Sequence, residues 1–567
     1  MNSAKKRAMC TREAATLLPR LHDYVAHHAA QRPRDLALIE HETGATVSWS
    51  ALSRAVDAFA AKLLAMGLEK GDVVATTLPF MKEHVYLEYA CFKIGVIVAP
   101  LDLRLRTSEI LEAFAKVRPK AYFFLGVTPK MDFRPMVAEV MKHTTGCQHW
   151  IQFQLGADGV LPGAQHAKAF AKDIPWRYLL SLATGTVRRA ARQVDRRDPA
   201  LIIFTTGSTG APKPALLCHE NILLQNAATA ISFDLTAADR MMVNLPTSHV
   251  GGQTEQLMTS IYGGGPAVLL HIFDAEKTLE AIAAHRVTIL GQIPALFAMQ
   301  WRLKSFGDYD LSSLRLAIYS GQGVDRPFLE RLMKMARTAG TGLGLTETAG
   351  FCTYTPIAWG PEEMAQSAGF DAPICPMTVR KPMEEDGRAG ALCAPGEVGE
   401  LCFKGPQIFL GYLGDEEATR RTISSDGWLY TGDLGWVDER GLHFEGRSKF
   451  VIKPRGYQVF PGEVESFITD AFPDRIVRTG VVGVDHALWS EGLVAFAELR
   501  GDEPLDPHTL ETRLKDIAAY KRPEHFVFLR EGELPLNRVA KIDYLALRER
   551  AAAEVEALRA AGGWDVG

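Results

Sequence analysis

No run of apolar residues in the chain approaches the roughly 20 that a membrane-spanning helix needs, which argues against integral membrane association. The basic residues between Met1 and Arg7 are followed by no apolar core of signal-peptide form. The eight cysteines, from Cys10 to Cys402, include no CxxC pair and no Cys/His cluster of zinc-site spacing. In a chain of 567 residues they read as reduced thiols of a cytoplasmic protein. No excess charge of one sign is present either: 63 basic and 67 acidic side chains leave a net charge of -4. That balance speaks against a nucleic-acid or membrane-surface role for the chain as a whole. Repeats and low-complexity blocks are also lacking.

What is there is ordinary globular material, 47% hydrophobic and 23% charged, in a chain long enough for more than one domain. Globular patterning is expected from about Leu17. Leu21 to Ala30 reads as a helix, Leu36 to Glu40 as a short strand and Ser50 to Met66 as a helix with apolar residues at helical spacing. Val73 to Leu78 is a buried strand after the Gly71-Asp72 turn; Glu83 to Ile94 is a helix and Val96 to Pro100 a strand. This alternation predicts an α/β fold with parallel sheet. Leu179 to Gln193 reads as helical, weakened by Gly185, and Arg188, Arg189, Arg192, Arg196 and Arg197 read as a solvated basic face. Gly396 to Leu413 suggests a β-rich subdomain. From Lys449 onward a pattern of strand, helix, strand and helix marks a small α+β domain. The expected division is residues 1–448, a large domain, and 449–567, a small one.

The strongest local signal is the apolar run Leu201 to Phe204 entering Thr205-Thr206-Gly207-Ser208-Thr209-Gly210-Ala211-Pro212-Lys213. Glycines let backbone N–H groups approach an anion, hydroxyls add donors, and one lysine supplies a mobile positive charge. Such a loop suits a polyphosphate. It is no Walker A loop, because Pro214 follows the lysine where Ser or Thr is required. His219 to Ala228 then reads as a helix. The segment resembles the ATP phosphate loop of the adenylate-forming superfamily, which comprises acyl-CoA synthetases, peptide-synthetase adenylation domains and luciferases.

Further motifs follow in the order of that family, across roughly Leu21 to Leu547. Leu245 to Gly252 resembles the segment that sets a histidine, here His249, beside the acyl pocket, with Gly251 and Gly344 as further pocket positions. Ser320-Gly321-Gln322-Gly323 resembles the loop near adenine. Gly342 to Thr348 resembles the motif whose threonine, Thr346, contacts the adenylate phosphate and whose glutamate, Glu347, helps bind Mg²⁺, a hard cation that takes oxygen ligands. Asp426 to Gly435 implies a ribose-binding Asp433, and Arg447 is a second ribose contact. Lys449 falls at the hinge, Lys453 and Gln458 around the adenylate, Gly456 and Tyr457 on the coenzyme A side, and Lys541 at the lysine that neutralises charge during adenylation. Three departures stand out: Leu343 replaces a common adenine-stacking aromatic, Gly344 stands where acetate-activating relatives have tryptophan, and Ala540 replaces the glycine before Lys541.

The resemblance implies an AMP-forming acyl-CoA ligase using ATP, Mg²⁺ and coenzyme A on a small-molecule carboxylic acid. Gly251, Gly252 and Gly344 hint at a pocket for a medium-chain, aromatic or alicyclic acid. No cysteine nucleophile is required, since the thiol belongs to coenzyme A. The alternative is adenylation with transfer to a carrier protein, which the lack of a carrier-type segment after Lys541 disfavours. Oligomeric state is not legible.

Overall fold

The computed structural model describes residues 3–128, 131–154, 159–205, 212–321, 323–447, 450–452, 454, 459–487, 490–501, 505–515, 517–537 and 541–565. The chain forms two compact units, one of Met1–Met377 with Phe403–Leu429, the other of Thr378–Cys402 with Tyr430–Gly567.

The first unit is α/β, as the alternating pattern predicts. Its eight-stranded sheet runs in the order Gly411–Tyr412, Lys213–Cys218, Pro199–Thr205, Ile97–Pro100, Val73–Thr77, Ala121–Leu125, His149–Phe153, Gln165–His166. The central strands are parallel and buried along their whole length, Val73–Thr77 and Ala121–Leu125 at all five positions. Continuous burial is why they read as unbroken apolar runs rather than alternating ones. A seven-stranded sheet is ordered Thr338–Gly340, Leu316–Tyr319, Ile289–Gln292, Met241–Val243, Ala267–Leu269, Leu36–Glu40, Thr46–Ser48. Helices Leu21–Gln31, Trp49–Ala65 and Lys82–Ile94 match the expected segments within a residue or two.

Three elements differ from expectation. The N-terminal lead is a helix, Ala4–Thr16, capped by Ser3, whose hydroxyl oxygen accepts from Lys6 N–H. It contributes one residue to a core, Cys10, packed with Phe233, Phe351 and Tyr354. Ion pairs of Lys6 with Asp234 (2.9 Å) and Arg7 with Asp371 (3.0 Å) hold the rest. A helix attached mainly through charge leaves no apolar stripe in the sequence. The stretch around Gly185 is two helices, Ile174–Thr184 and Thr186–Arg192, broken where Gly185 takes φ 68°. Of the basic face there, Arg196 and Arg197 both pair with Glu220, and Arg189 donates to the Thr184 carbonyl. Finally, the phosphate-loop segment returns as a strand, Lys213–Cys218, antiparallel to Pro199–Thr205, before the helix His219–Ser232 begins.

The second unit holds most of a four-stranded sheet ordered Met377–Arg380, Gly399–Phe403, Leu429–Asp438, Gly441–Arg447. It also holds a three-stranded sheet of Ile476–His486, Ser490–Leu499 and His525–Arg530. Helices Pro461–Ala471 and Tyr544–Ala560 both pack on that sheet, each with its own apolar cluster. Among the described residues no helix is long and apolar enough to cross a membrane.

Candidate functional site

The hairpin of Pro199–Thr205 and Lys213–Cys218 pairs Thr205 directly with Lys213, so both ends of the expected phosphate loop meet. Thr206, Gly207, Ser208, Thr209 and Gly210 lie outside the described residues, as do Gln322, Lys449, Lys453, Gly456, Tyr457, Gln458 and Ala540. Beside Lys213–Cys218 runs the two-residue strand Gly411–Tyr412, with Tyr412 opposite Ala215. That register carries the Tyr412 ring to the Lys213 ammonium, 5.2 Å from the ring centre, a cation–π distance. The Tyr412 hydroxyl donates to Glu347 Oε1 at 2.6 Å. Lys213 and Glu347, far apart in sequence, are thereby joined by one aromatic residue.

Glu347 is presented by a single 3₁₀ turn, Thr346–Thr348. The turn is fixed from several sides. Phe409 N–H donates to the Glu347 carbonyl, and Thr348 Oγ1 donates to the Gly350 carbonyl at 2.7 Å. The fully buried Gln407 donates to the Thr348 and Phe351 carbonyls at 3.0 and 2.8 Å. Thr346 stands in the same turn. Leu343 is held through its backbone, its N–H donating to Thr353 Oγ1 at 2.8 Å, and is only partly buried, as a residue offering an apolar surface would be. Gly321 follows the strand Leu316–Tyr319 with φ 98°, a conformation that glycine adopts freely.

The segment expected to border an acyl pocket, Leu245 to Gly252, runs into a π-helix, Gly251–Met258, a form concentrated at functional sites. Its buried polar side chains are tied down. Gln253 donates to Glu88 (2.6 Å), Thr254 to the Val250 and Ala349 carbonyls, and Gln256 to the Gly291 carbonyl (2.7 Å). His249, exposed just before it, accepts at Nδ1 from Gly251 N–H at 3.0 Å, which leaves its proton on Nε2 in the neutral ring. None of the three glycines expected to border the pocket faces simply empty space, and a Cβ on Gly251 would lie 3.0 Å from Leu245 Cδ1. A Cβ on Gly252 would lie 2.4 Å from the Pro246 carbonyl oxygen, so that glycine serves close backbone packing. A Cβ on Gly344 would meet Glu255 Oε1, the Gly350 carbonyl carbon and the Phe351 nitrogen, each at 3.2 Å, so any side chain there requires these neighbours to give by a few tenths of an ångström.

In the second unit Asp433 and Arg447 face each other across the strands Leu429–Asp438 and Gly441–Arg447. Arg447 Nε and Asp433 Oδ1 form an ion pair at 2.7 Å, and Asp433 is 2% exposed. The pair has a third neighbour in Lys541, whose pKa is lowered by burial and by the positive charge of Arg447, with Asp433 opposing. Lys541 N–H donates to Asn537 Oδ1 at 3.1 Å. The structure thus groups Thr205, Lys213, Thr346 and Glu347 in one unit and Asp433, Arg447 and Lys541 in the other.

Sequence reasoning missed Tyr412 and Glu255. Tyr412 carried a signal, an aromatic directly after Gly411 in the segment expected to be β-rich; Glu255 carried a weaker one, a charge three residues beyond the Leu245 to Gly252 segment.

The chain matches the family model described as "AMP-binding enzyme" over residues 25–413, and the one described as "AMP-binding enzyme C-terminal domain" over residues 463–541. It is 31% identical over 536 residues to the indoleacetate–CoA ligase of Aromatoleum aromaticum, covering 92% of this chain and 96% of that protein. It is 28% identical to the medium-chain fatty-acid–CoA ligase of Escherichia coli, covering 93% and 90%. The crystal structure of the anthranilate CoA ligase AuaEII with anthranoyl-AMP superposes with a TM-score of 0.79, covering 95% of this chain and 99% of that one. At 21% identity that likeness concerns the fold.

Proposed function

The chain belongs to the AMP-binding enzyme family, and from that membership we propose that it joins a carboxylic acid to coenzyme A through an acyl-adenylate, releasing AMP and pyrophosphate. It is an acid–thiol ligase in this reading, with a medium-chain, aromatic or alicyclic acid as substrate. The observation that carries the proposal is the chain of contacts Lys213–Tyr412–Glu347, which sets a cation and a carboxylate at the root of the phosphate-loop hairpin.

A carboxylate attacking the α-phosphate brings one anion to another, so orientation and charge neutralisation dominate the barrier. Lys213 and the hydroxyls and N–H groups of the Thr206 to Gly210 segment would hold the β- and γ-phosphates. Thr346 would donate to the α-phosphate. Among the described residues no group of three metal-ligating side chains exists, so Mg²⁺ would be held by Glu347 together with nucleotide oxygens and water, a hard-donor set that suits it. Bound there it would neutralise phosphate charge. Asp433 would accept from the ribose hydroxyls with Arg447 beside it, Leu343 would cover adenine, and His249 would border the acyl group. Lys541 would neutralise charge in the adenylation step. A domain of residues 449–567 would then turn about Lys449, withdrawing Lys541 and bringing Gly456 and Tyr457 to the thioester site.

The test is incubation of the purified enzyme with ATP, Mg²⁺ and a panel of acids, with and without coenzyme A. Pyrophosphate, AMP and a thioester mass that appears only with coenzyme A are expected. Pyrophosphate without any thioester would point instead to a carrier-protein acceptor, and no pyrophosphate from any acid would sink the proposal. Preference for acetate over every larger acid would overturn the pocket reading.

A further inference from the structure

Glu255 lies in the π-helix Gly251–Met258, and none of the steps above has a use for it. Three glycines surround its carboxyl group. A Cβ on Gly350 would sit 2.9 Å from Glu255 Cγ and Oε1, one on Gly344 would sit 3.2 Å from Oε1, and one on Gly251 would sit 3.7 Å from Oε2. Cβ positions on all three glycines therefore lie within contact distance of this side chain, and Gln225 Nε2 is also 3.1 Å from the Gly350 position. Gly344 is itself exposed, and Glu255 as a whole is half-buried. Gly251 and Gly344 are the positions expected to bound the acyl pocket, and His249 Nδ1 lies 3.2 Å from the same Gly251 Cβ position.

The carboxyl is also short of partners. Phe351 N–H donates to it, yet burial still raises its pKa to about 7, and no charged group among the described residues contributes to the shift. A carboxyl enclosed in this way gains from any donor that reaches it and is penalised by any second anion. A purely structural role would call for a salt bridge or a ring of donors, as Asp239 has from Arg315, Thr236 and Thr288.

We infer that Glu255 is a specificity residue of the acyl site, selecting acids that carry an N–H or O–H donor remote from the reacting carboxylate and rejecting acids with a second carboxylate. The inference rests on the acid-activating function proposed above and adds the chemistry of the substrate's far end.

The experiment uses the full chain and matched acids of one skeleton: 4-hydroxyphenylacetate against phenylacetate, 4-aminobenzoate against benzoate, and adipate against hexanoate. Thioester formation gives kcat/KM for the wild type, Glu255→Gln and Glu255→Leu. The wild type should favour the donor-bearing member of at least one pair by roughly 10- to 100-fold. Glu255→Leu should bring that ratio to about one, and the isosteric Glu255→Gln should raise adipate relative to hexanoate by about tenfold, both with KM for ATP unchanged. Where Glu255→Leu fails to fold, the Glu255→Gln adipate ratio decides. Ratios unmoved in the variants, or no preference in the wild type, overturn the role of Glu255 while leaving acid activation intact. No turnover of any acid removes the function and this inference together.

Discussion

Tyr412 donates its hydroxyl hydrogen to Glu347 Oε1 at 2.6 Å. The same ring lies under the Lys213 ammonium, so one side chain orients the proposed metal-binding carboxylate and the proposed phosphate-binding cation. Tyr412→Phe keeps the ring and removes the bond to Glu347. A hydrogen bond to a charged group contributes about 1.5–3 kcal/mol, so the rate of pyrophosphate release should fall by roughly 10- to 100-fold, with a higher Mg²⁺ concentration needed for half-maximal rate. Titrating Mg²⁺ against pyrophosphate release checks this. A variant with the wild-type Mg²⁺ curve would mean the bond only packs the sheet edge.

Lys541 bears on pH. Burial and the nearby Arg447 charge lower its pKa from the ordinary 10.5, so its proton leaves sooner as pH rises. If the charged form serves adenylation, the adenylation rate should decline on the alkaline side at a pH below 10.5, because the working species is the protonated one. Arg447→Met removes the repelling charge and should move that decline upward. Lys541→Ala should cut adenylation by about two to three powers of ten while sparing thioester formation from preformed acyl-adenylate. Measuring both half-reactions across pH separates the cases; equal loss of both in Lys541→Ala would count against the assignment.

What the sequence offered for the candidate site was a set of short motifs, the Thr205 to Lys213 loop, Thr346-Glu347, Asp433 and Lys541; the structure joins Lys213 to Glu347 through Tyr412 in one unit and sets Asp433 against Arg447 in the other. The parallel strands were legible because burial on both faces writes itself as apolar runs. Other features depend on pairings that no local window contains. Tyr412 acts through the register of a two-residue strand against Lys213–Cys218, and Asp433 meets Arg447 only because an antiparallel pair brings them opposite. The π-helix was hidden because Gly251–Met258 mixes glycine, polar and apolar residues without helical spacing, and its form is held by tertiary hydrogen bonds. The glycines were read as space, whereas Gly252 answers to a carbonyl oxygen and Gly344 to a carboxyl.

The hinge assignment at Lys449 predicts a split between half-reactions. Proline fixes φ near −65° and removes the backbone N–H, so Lys449→Pro should hold the chain in one arrangement. Adenylation is expected to stay within a few-fold of wild type, and thioester formation to fall by at least tenfold. Single-turnover assays of each step with one acid would read both. Should the two rates drop in parallel, Lys449 is not the pivot.

Gly251 and Gly252 are adjacent and differ in what an added methyl group would strike. At Gly252 it would meet two backbone carbonyl oxygens, Pro246 at 2.4 Å and Leu245 at 2.8 Å, which move only if the turn before the π-helix moves. At Gly251 it would meet Leu245 Cδ1 at 3.0 Å and His249 Nδ1 at 3.2 Å, both side-chain atoms able to rotate aside. Gly252→Ala should therefore destabilise the fold by about 1–3 kcal/mol, the range for overpacking. It should also disturb His249, whose carbonyl accepts from Gly252 N–H at 3.1 Å. Gly251→Ala should cost under about 1 kcal/mol, within the spread of mild substitutions, and act chiefly on KM for the acid, because the displaced imidazole is the one proposed to border the acyl group. Urea unfolding of the three proteins, with KM for one good acid, orders the two effects. A larger stability loss in Gly251→Ala than in Gly252→Ala would show that the turn yields more readily than the side chains, and the close backbone approach would no longer explain why glycine stands at 252.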